Sequence, residues 1–214
     1  NLYAYCNNNP IMYDDPEGNA PKWVKGLAIG LAVVGTVLVA GAIIALTMGT
    51  GTTFMATTMA GVVIHGASVG TMIGASVGII AGGFIGGFAS NWSAEGILIG
   101  MGIGFGGGAI IGAIAGGGLS TFQYTNATAQ WSSAGGRTAQ ENMIHHFNKH
   151  VIGDGHNYLG KNVVQYTKNA RNFFKSNSSL MKLTSSGNYA IRATFAGHRA
   201  GGFFDVTGII FSFF

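Results

Sequence analysis

HGASVGTMIGASVGIIAGGFIGG, residues 65–87, and GILIGMGIGFGGGAIIGAIAGGG, residues 96–118, decide the fold. Glycine recurs every four positions, at Gly66, Gly70, Gly74, Gly78, Gly82 and Gly86, and again at Gly96, Gly100, Gly104, Gly108, Gly112 and Gly116. Each glycine costs a helix in water about 1 kcal/mol relative to alanine, so six per helix need an offsetting gain. A glycine row on one helix face supplies it by letting two backbones approach closely, as small residues do between membrane helices. The polar break Ser90-Asn91-Trp92-Ser93-Ala94-Glu95 separates the rows, with Ser93 placed to cap the second helix. The spacing predicts a helical hairpin over 62–90 and 96–118. Upstream, residues 26–48 are uncharged and follow Lys22, Trp23 and Lys25. A spanning helix needs about 20 apolar residues and is commonly anchored by interfacial Trp and Lys, so 26–48 reads as a third helix.

Composition agrees. Of 214 residues, 48% are hydrophobic and 8% charged, against about 25% charged in soluble domains, which excludes an ordinary cytosolic globule. The 37 glycines sit among Ile, Val, Leu and Ala without a Gly-X-Y period, so neither collagen nor a flexible linker fits. A single Cys6 removes any disulfide framework. The chain begins at Asn1 and is expected to be a piece of a longer protein. Residues 119–136 are small and polar and read as a linker.

The block 137–214 is different. It holds nine Lys/Arg against three acids, and five of the six histidines. Its pattern predicts helices over Arg137–His150 and Tyr158–Lys175. Four strands are expected to follow, at Leu180–Leu183, Tyr189–Phe195, Gly202–Phe204 and Ile209–Phe214. The expected whole is multi-domain, a glycine-rich α-helical membrane region (21–118) followed by a small α+β domain of two helices and a four-stranded antiparallel sheet. The sharpest local feature is His145-His146-Phe147-Asn148-Lys149-His150. On a helix His146, Lys149 and His150 share a face. Imidazole suits proton transfer near neutral pH, and an ammonium beside it suits phosphate. A metalloprotease helix would need Glu where Phe147 stands. A zinc deaminase would need cysteines that this block lacks. Lys161, Lys168, Arg171 and Lys175 form a basic stripe with the character of a nucleic-acid-backbone contact.

Two resemblances follow. Asn1-Leu2-Tyr3-Ala4-Tyr5, then Asn8-Asn9-Pro10 and Asp15-Pro16-Glu17-Gly18, resemble the end of the Rhs/YD-repeat core, after which bacterial polymorphic toxins switch to a variable C-terminal effector. The resemblance implies that 1–20 belongs to an upstream cage enclosing the effector, with Asp15 one carboxylate of an autoproteolytic junction. It also implies secretion toward a competitor cell and a cognate immunity protein as partner, while contact with the target-cell membrane during delivery is expected from the apolar block 26–118. The pattern H-F-x-K-H, A-R-N-F-F, R…G-G-x-F and G-x-I-x-S-F over 140–214 is similar to the barnase–EndoU–colicin D–RelE-like ribonuclease toxins. That implies metal-independent RNA cleavage in the target cytoplasm, with no cofactor. His146 and His150 would be base and acid, with Lys149, Arg192 and Arg199 on the phosphate and His198 in reserve. The alternative is a pore formed by the glycine-zippered segment itself. A His-Asn-His metal nuclease, suggested by His145-His146, fits less well because the strands follow both helices.

Overall fold

The computed structural model describes residues 21–49 and 56–214. Asp15 and the rest of 1–20 lie outside them. Three long helices come first: α1 (Lys22–Gly49), α2 (Met59–Ala89) and α3 (Ala94–Thr128). All three are long and apolar enough to cross a membrane, with mean hydropathy 2.6, 1.8 and 2.0. Then come α4 (Ala139–Phe147), a π-helical turn Asn148–Gly153, a 3₁₀ turn Asn157–Leu159 and α5 (Val163–Asn177). A four-stranded sheet ends the chain: β1 (Lys182–Leu183), β2 (Tyr189–Phe195), β3 (His198–Phe204) and β4 (Ile210–Phe213). The described residues form two compact units, 21–46 with 66–117, and 47–49 and 56–65 with 118–214.

In the first unit the glycine rows of α2 and α3 meet backbone to backbone. A Cβ on Gly70, Gly74, Gly78 or Gly82 would overlap the carbonyl oxygen of Gly112, Gly108, Gly104 or Gly100, and each of these reciprocates. An antiparallel helix pair in this register has no room for any side chain. Glycines off the stripe differ, for Gly107 and Gly118 face open space. The α1 helix packs on α3 in the same way at one point, where a Cβ on Gly106 would strike the Leu31 carbonyl. Lys25 and Glu95 form an ion pair. The outward surfaces remain apolar: Val37 is 66% exposed, Ile85 69% and Phe88 78%.

The second unit has a conventional core. Thr138 opens α4 with a capping box, its hydroxyl accepting from the Glu141 N–H while Glu141 accepts from the Thr138 N–H. Asn162 caps α5, accepting from the Gln165 N–H at 2.9 Å. That cap starts the helix later than the periodicity predicts, because Gly160 (φ +154) lies against the Tyr166 backbone. One face of α5, carrying Val163, Tyr166, Ala170, Phe173 and Phe174, is buried. It packs on the sheet face that bears Ile191, Phe204, Ile210 and Phe213. The sheet is an antiparallel meander in the order β1-β2-β3-β4. Strand β3 begins at His198, four residues before the expected start, because Ala196 (φ 50) and Gly197 (φ 81) make a two-residue hairpin turn.

Residues 119–136, expected as a linker, are part of this core. The α3 helix runs to Thr128, Tyr124 and Ala127 are buried, and the Tyr124 hydroxyl donates to the Thr57 carbonyl at 3.0 Å. Beyond the helix, 130–132 pairs with β4 through Ile210 N–H to the Gln130 carbonyl and Ser132 N–H to the Ile210 carbonyl. The buried Trp131 donates from Nε1 to Thr167 Oγ1 at 2.8 Å. Small polar residues surround these aromatic anchors, which is why composition alone misreads the stretch. Trp131→Ala should destabilise this unit by about 3–5 kcal/mol, read as a lowered denaturant midpoint. By the same reasoning a fragment starting at 118 should fold better than one starting at 137.

Candidate functional site

The helix α4 is amphipathic, with Met143 and Phe147 buried against the core. It widens into the π-helical turn at Asn148, where the Asp154 N–H reaches back to the Lys149 carbonyl at 2.9 Å. Such turns recur at functional sites. The local geometry stacks the rings of His146 and His150, with centroids 5.6 Å apart and planes 11° from parallel. The stack continues in both directions. His146 lies 5.9 Å from Trp131, which stacks on Tyr166, and His150 lies 5.6 Å from Phe214. Tyr166 is held in turn by its hydroxyl, which donates to the Phe213 carbonyl.

Each histidine has a polar partner. His150 Nδ1 is 2.9 Å from Asp154 Oδ2, a contact that fixes the ring and leaves Nε2 for other work. His146 Nδ1 is 3.3 Å from the Ser212 hydroxyl on β4. The arginines enter through sheet register. Arg192 lies opposite Gly201, and Gly201 exchanges both backbone hydrogen bonds with Phe214. The Phe214 ring lies where a Gly201 side chain would be, within 2.8 Å of a Cβ there. Arg192 and the Phe214 ring therefore share the sheet face away from α5, and Arg199, paired with Thr194, lies on it too. Phe214 thus links the histidine stack to the face that carries both arginines.

Burial and neighbouring charge disfavour protonation of both rings. Burial, then the neighbouring His150, His145, Lys149 and Arg137, push the His146 pKa down to about 4. Burial also lowers His150, opposed in part by the hydrogen bond to Asp154. The folded state thus disfavours the proton on His146 relative to the unfolded chain. Its contribution to stability is present above pH 6.5 and is lost as pH falls toward about 4. Because the ring keeps some contact with water, the expected loss is discounted to about 1–2 kcal/mol. Urea melts of the wild type between pH 7 and pH 4 should show it, and His146→Gln should flatten the slope. An unchanged slope would refute the linkage.

The remaining expected residues are dispersed. Lys149 is exposed and acts on the two rings only through space. His198 stacks on Tyr158 at 4.2 Å and pairs with Phe195. By register it belongs to the face opposite Arg192. Lys161 precedes α5, where its N–H donates to Gln165 Oε1. Lys168 and Lys175 lie on the face of α5 turned away from the sheet, whereas Arg171 on its flank reaches the β3–β4 turn at Thr207 and Gly208. Sequence reasoning missed Trp131, Asp154, Ser212 and Phe214 as neighbours of the histidines. Only Asp154 carried a signal, its i+4 spacing from His150. No protein-family model, curated protein or solved structure matches the chain.

Proposed function

We propose that this chain is the effector region of an Rhs/YD-repeat polymorphic toxin. In this reading α1–α3 enter the target-cell membrane during delivery, and the C-terminal α+β unit is a metal-independent endoribonuclease acting in the target cytoplasm. The observation that carries the chemistry is the stacked His146–His150 pair, with Asp154 on one ring and Phe214 leading to Arg192. Neutral His146 accepts the proton of a ribose 2′-hydroxyl as that oxygen attacks the adjacent phosphorus. The P–O5′ bond breaks, a 2′,3′-cyclic phosphate forms, and His150 protonates the departing 5′-oxygen. The Asp154 carboxylate favours the charged imidazole that this step needs. Arg192 and Arg199 neutralise charge building on the phosphate.

Membrane entry is supported by three apolar helices whose outward Val, Ile and Phe side chains are exposed in the first unit. In water a contiguous apolar surface of this kind is a liability, whereas in lipid it is the expected exterior. The glycine contacts between α2 and α3 also favour a second reading, in which the helices themselves form a pore. The discriminating experiment compares wild type with His146→Gln/His150→Gln in two assays, RNA degradation and dye release from liposomes. The ribonuclease reading expects loss of the first alone. Toxicity that survives the double substitution together with dye release would favour the pore.

A further inference from the structure

Within the second unit, a groove of about 650 Å³ lies between α5 and the parts of α2 and α3 that belong to that unit. Lys168, Arg171 and Lys175 line one wall, and Ser120, Gln123 and Asn126 line the other. No carboxylate lines it, and among the described residues no acid pairs with Lys168 or Lys175. Arg171 is a fixed charge, since its Nη1 donates to the carbonyls of Thr207 and Gly208. The groove thus presents cations on one wall and hydrogen-bonding side chains on the other.

Its position argues against RNA as that anion. The arginines of the candidate site lie on the sheet face away from α5, whereas these lysines lie on the α5 face away from the sheet. Helix and sheet stand between the two groups. The polar wall, by contrast, is the continuation of a candidate membrane span. The apolar run 96–118 covers about 34 Å at 1.5 Å per residue, slightly more than the ~30 Å of a bilayer's hydrocarbon core. Ser120, Gln123 and Asn126 follow it at helical spacing, in the part of α3 that would emerge into the headgroup layer. Leu119 and Phe122, on the same turns but outside the groove lining, are 58% and 64% exposed. This end of α3 thus carries exposed apolar side chains, Leu119 and Phe122, beside the polar groove wall.

We infer that the groove binds the phosphodiester headgroup of an anionic phospholipid, with Lys168 and Lys175 as its adjustable cations and Arg171 as its fixed one. The inference rests on the membrane reading of α2 and α3. It reassigns Lys168, Arg171 and Lys175 from substrate RNA to the bilayer surface, where clustered basic side chains draw anionic lipids.

The test reconstitutes the full chain into vesicles of phosphatidylcholine alone and of a phosphatidylcholine–phosphatidylglycerol mixture. Amine acylation is then read at each lysine by mass spectrometry. Phosphatidylglycerol should protect Lys168 and Lys175 several-fold and leave Lys161, outside the groove lining, little changed. Equal labelling in both vesicles would overturn the inference. So would protection in phosphatidylcholine vesicles by an RNA oligonucleotide but not by phosphatidylglycerol, or equal protection by inorganic phosphate. An alkaline carbonate wash separates the two levels. Chain that resists extraction yet shows no lipid-dependent protection refutes the groove alone, and chain that washes off refutes the membrane reading and the groove with it.

Discussion

His150→Gln and His146→Gln should each lower RNA cleavage by the full chain about 10²- to 10⁴-fold, the usual contribution of one positioned proton-transfer group. Glutamine keeps polarity and much of the ring's volume, so circular dichroism should remain that of the wild type. Two further readouts separate catalysis from folding. If His146 is the base and His150 the acid, kcat/KM should be bell-shaped, rising near pH 4 as His146 loses its proton and falling again below the ordinary imidazole range, because burial lowers His150. Products should carry 2′,3′-cyclic phosphate ends, and EDTA should leave the rate unchanged. Arg192→Ala should weaken binding and reduce the slope of log K against log salt by about 1. Full activity in the double histidine variant would sink the assignment. Strict dependence on a divalent ion would point instead to a metal nuclease.

The second large effect concerns the helical hairpin. Gly74→Leu, Gly78→Leu, Gly104→Leu and Gly108→Leu together should drive α2 and α3 apart, because at each position even a Cβ would overlap an opposing backbone carbonyl. Overpacking typically costs about 1–3 kcal/mol per site, and four such sites fall on one contact line. Crosslinking between cysteines placed on the two helices should be lost. Gly107→Ala is the control, since Gly107 faces open space and alanine is the better helix former. Should the fourfold variant crosslink as well as the wild type, the close approach is not what the glycines serve. Should Gly107→Ala be as disruptive, position on the stripe does not matter.

The three apolar helices, their glycine register and the helix-then-strand order of the C-terminal block were legible in the sequence. Each rests on short-range periodicity: glycine every fourth residue, the apolar faces of α4 and α5, and turn residues between the strands. The basic stripe was equally legible as a helix face, but periodicity cannot say what a face looks at. The fold turns Lys168 and Lys175 toward a groove and Arg192 and Arg199 toward the opposite side of the sheet. Segment 119–136 was misread because Trp131 and Tyr124 are sparse among small polar residues, and their burial depends on partners such as Thr167, 36 positions away. The histidine stack needed tertiary structure for the same reason. The i,i+4 spacing brings His146 and His150 to one side of a helix. Only the long-range packing of Trp131, Ser212 and Phe214 around them removes water and pushes His146 down to about 4. A chain can encode helix and strand locally, but desolvation and charge proximity belong to groups that meet only when distant segments close around them.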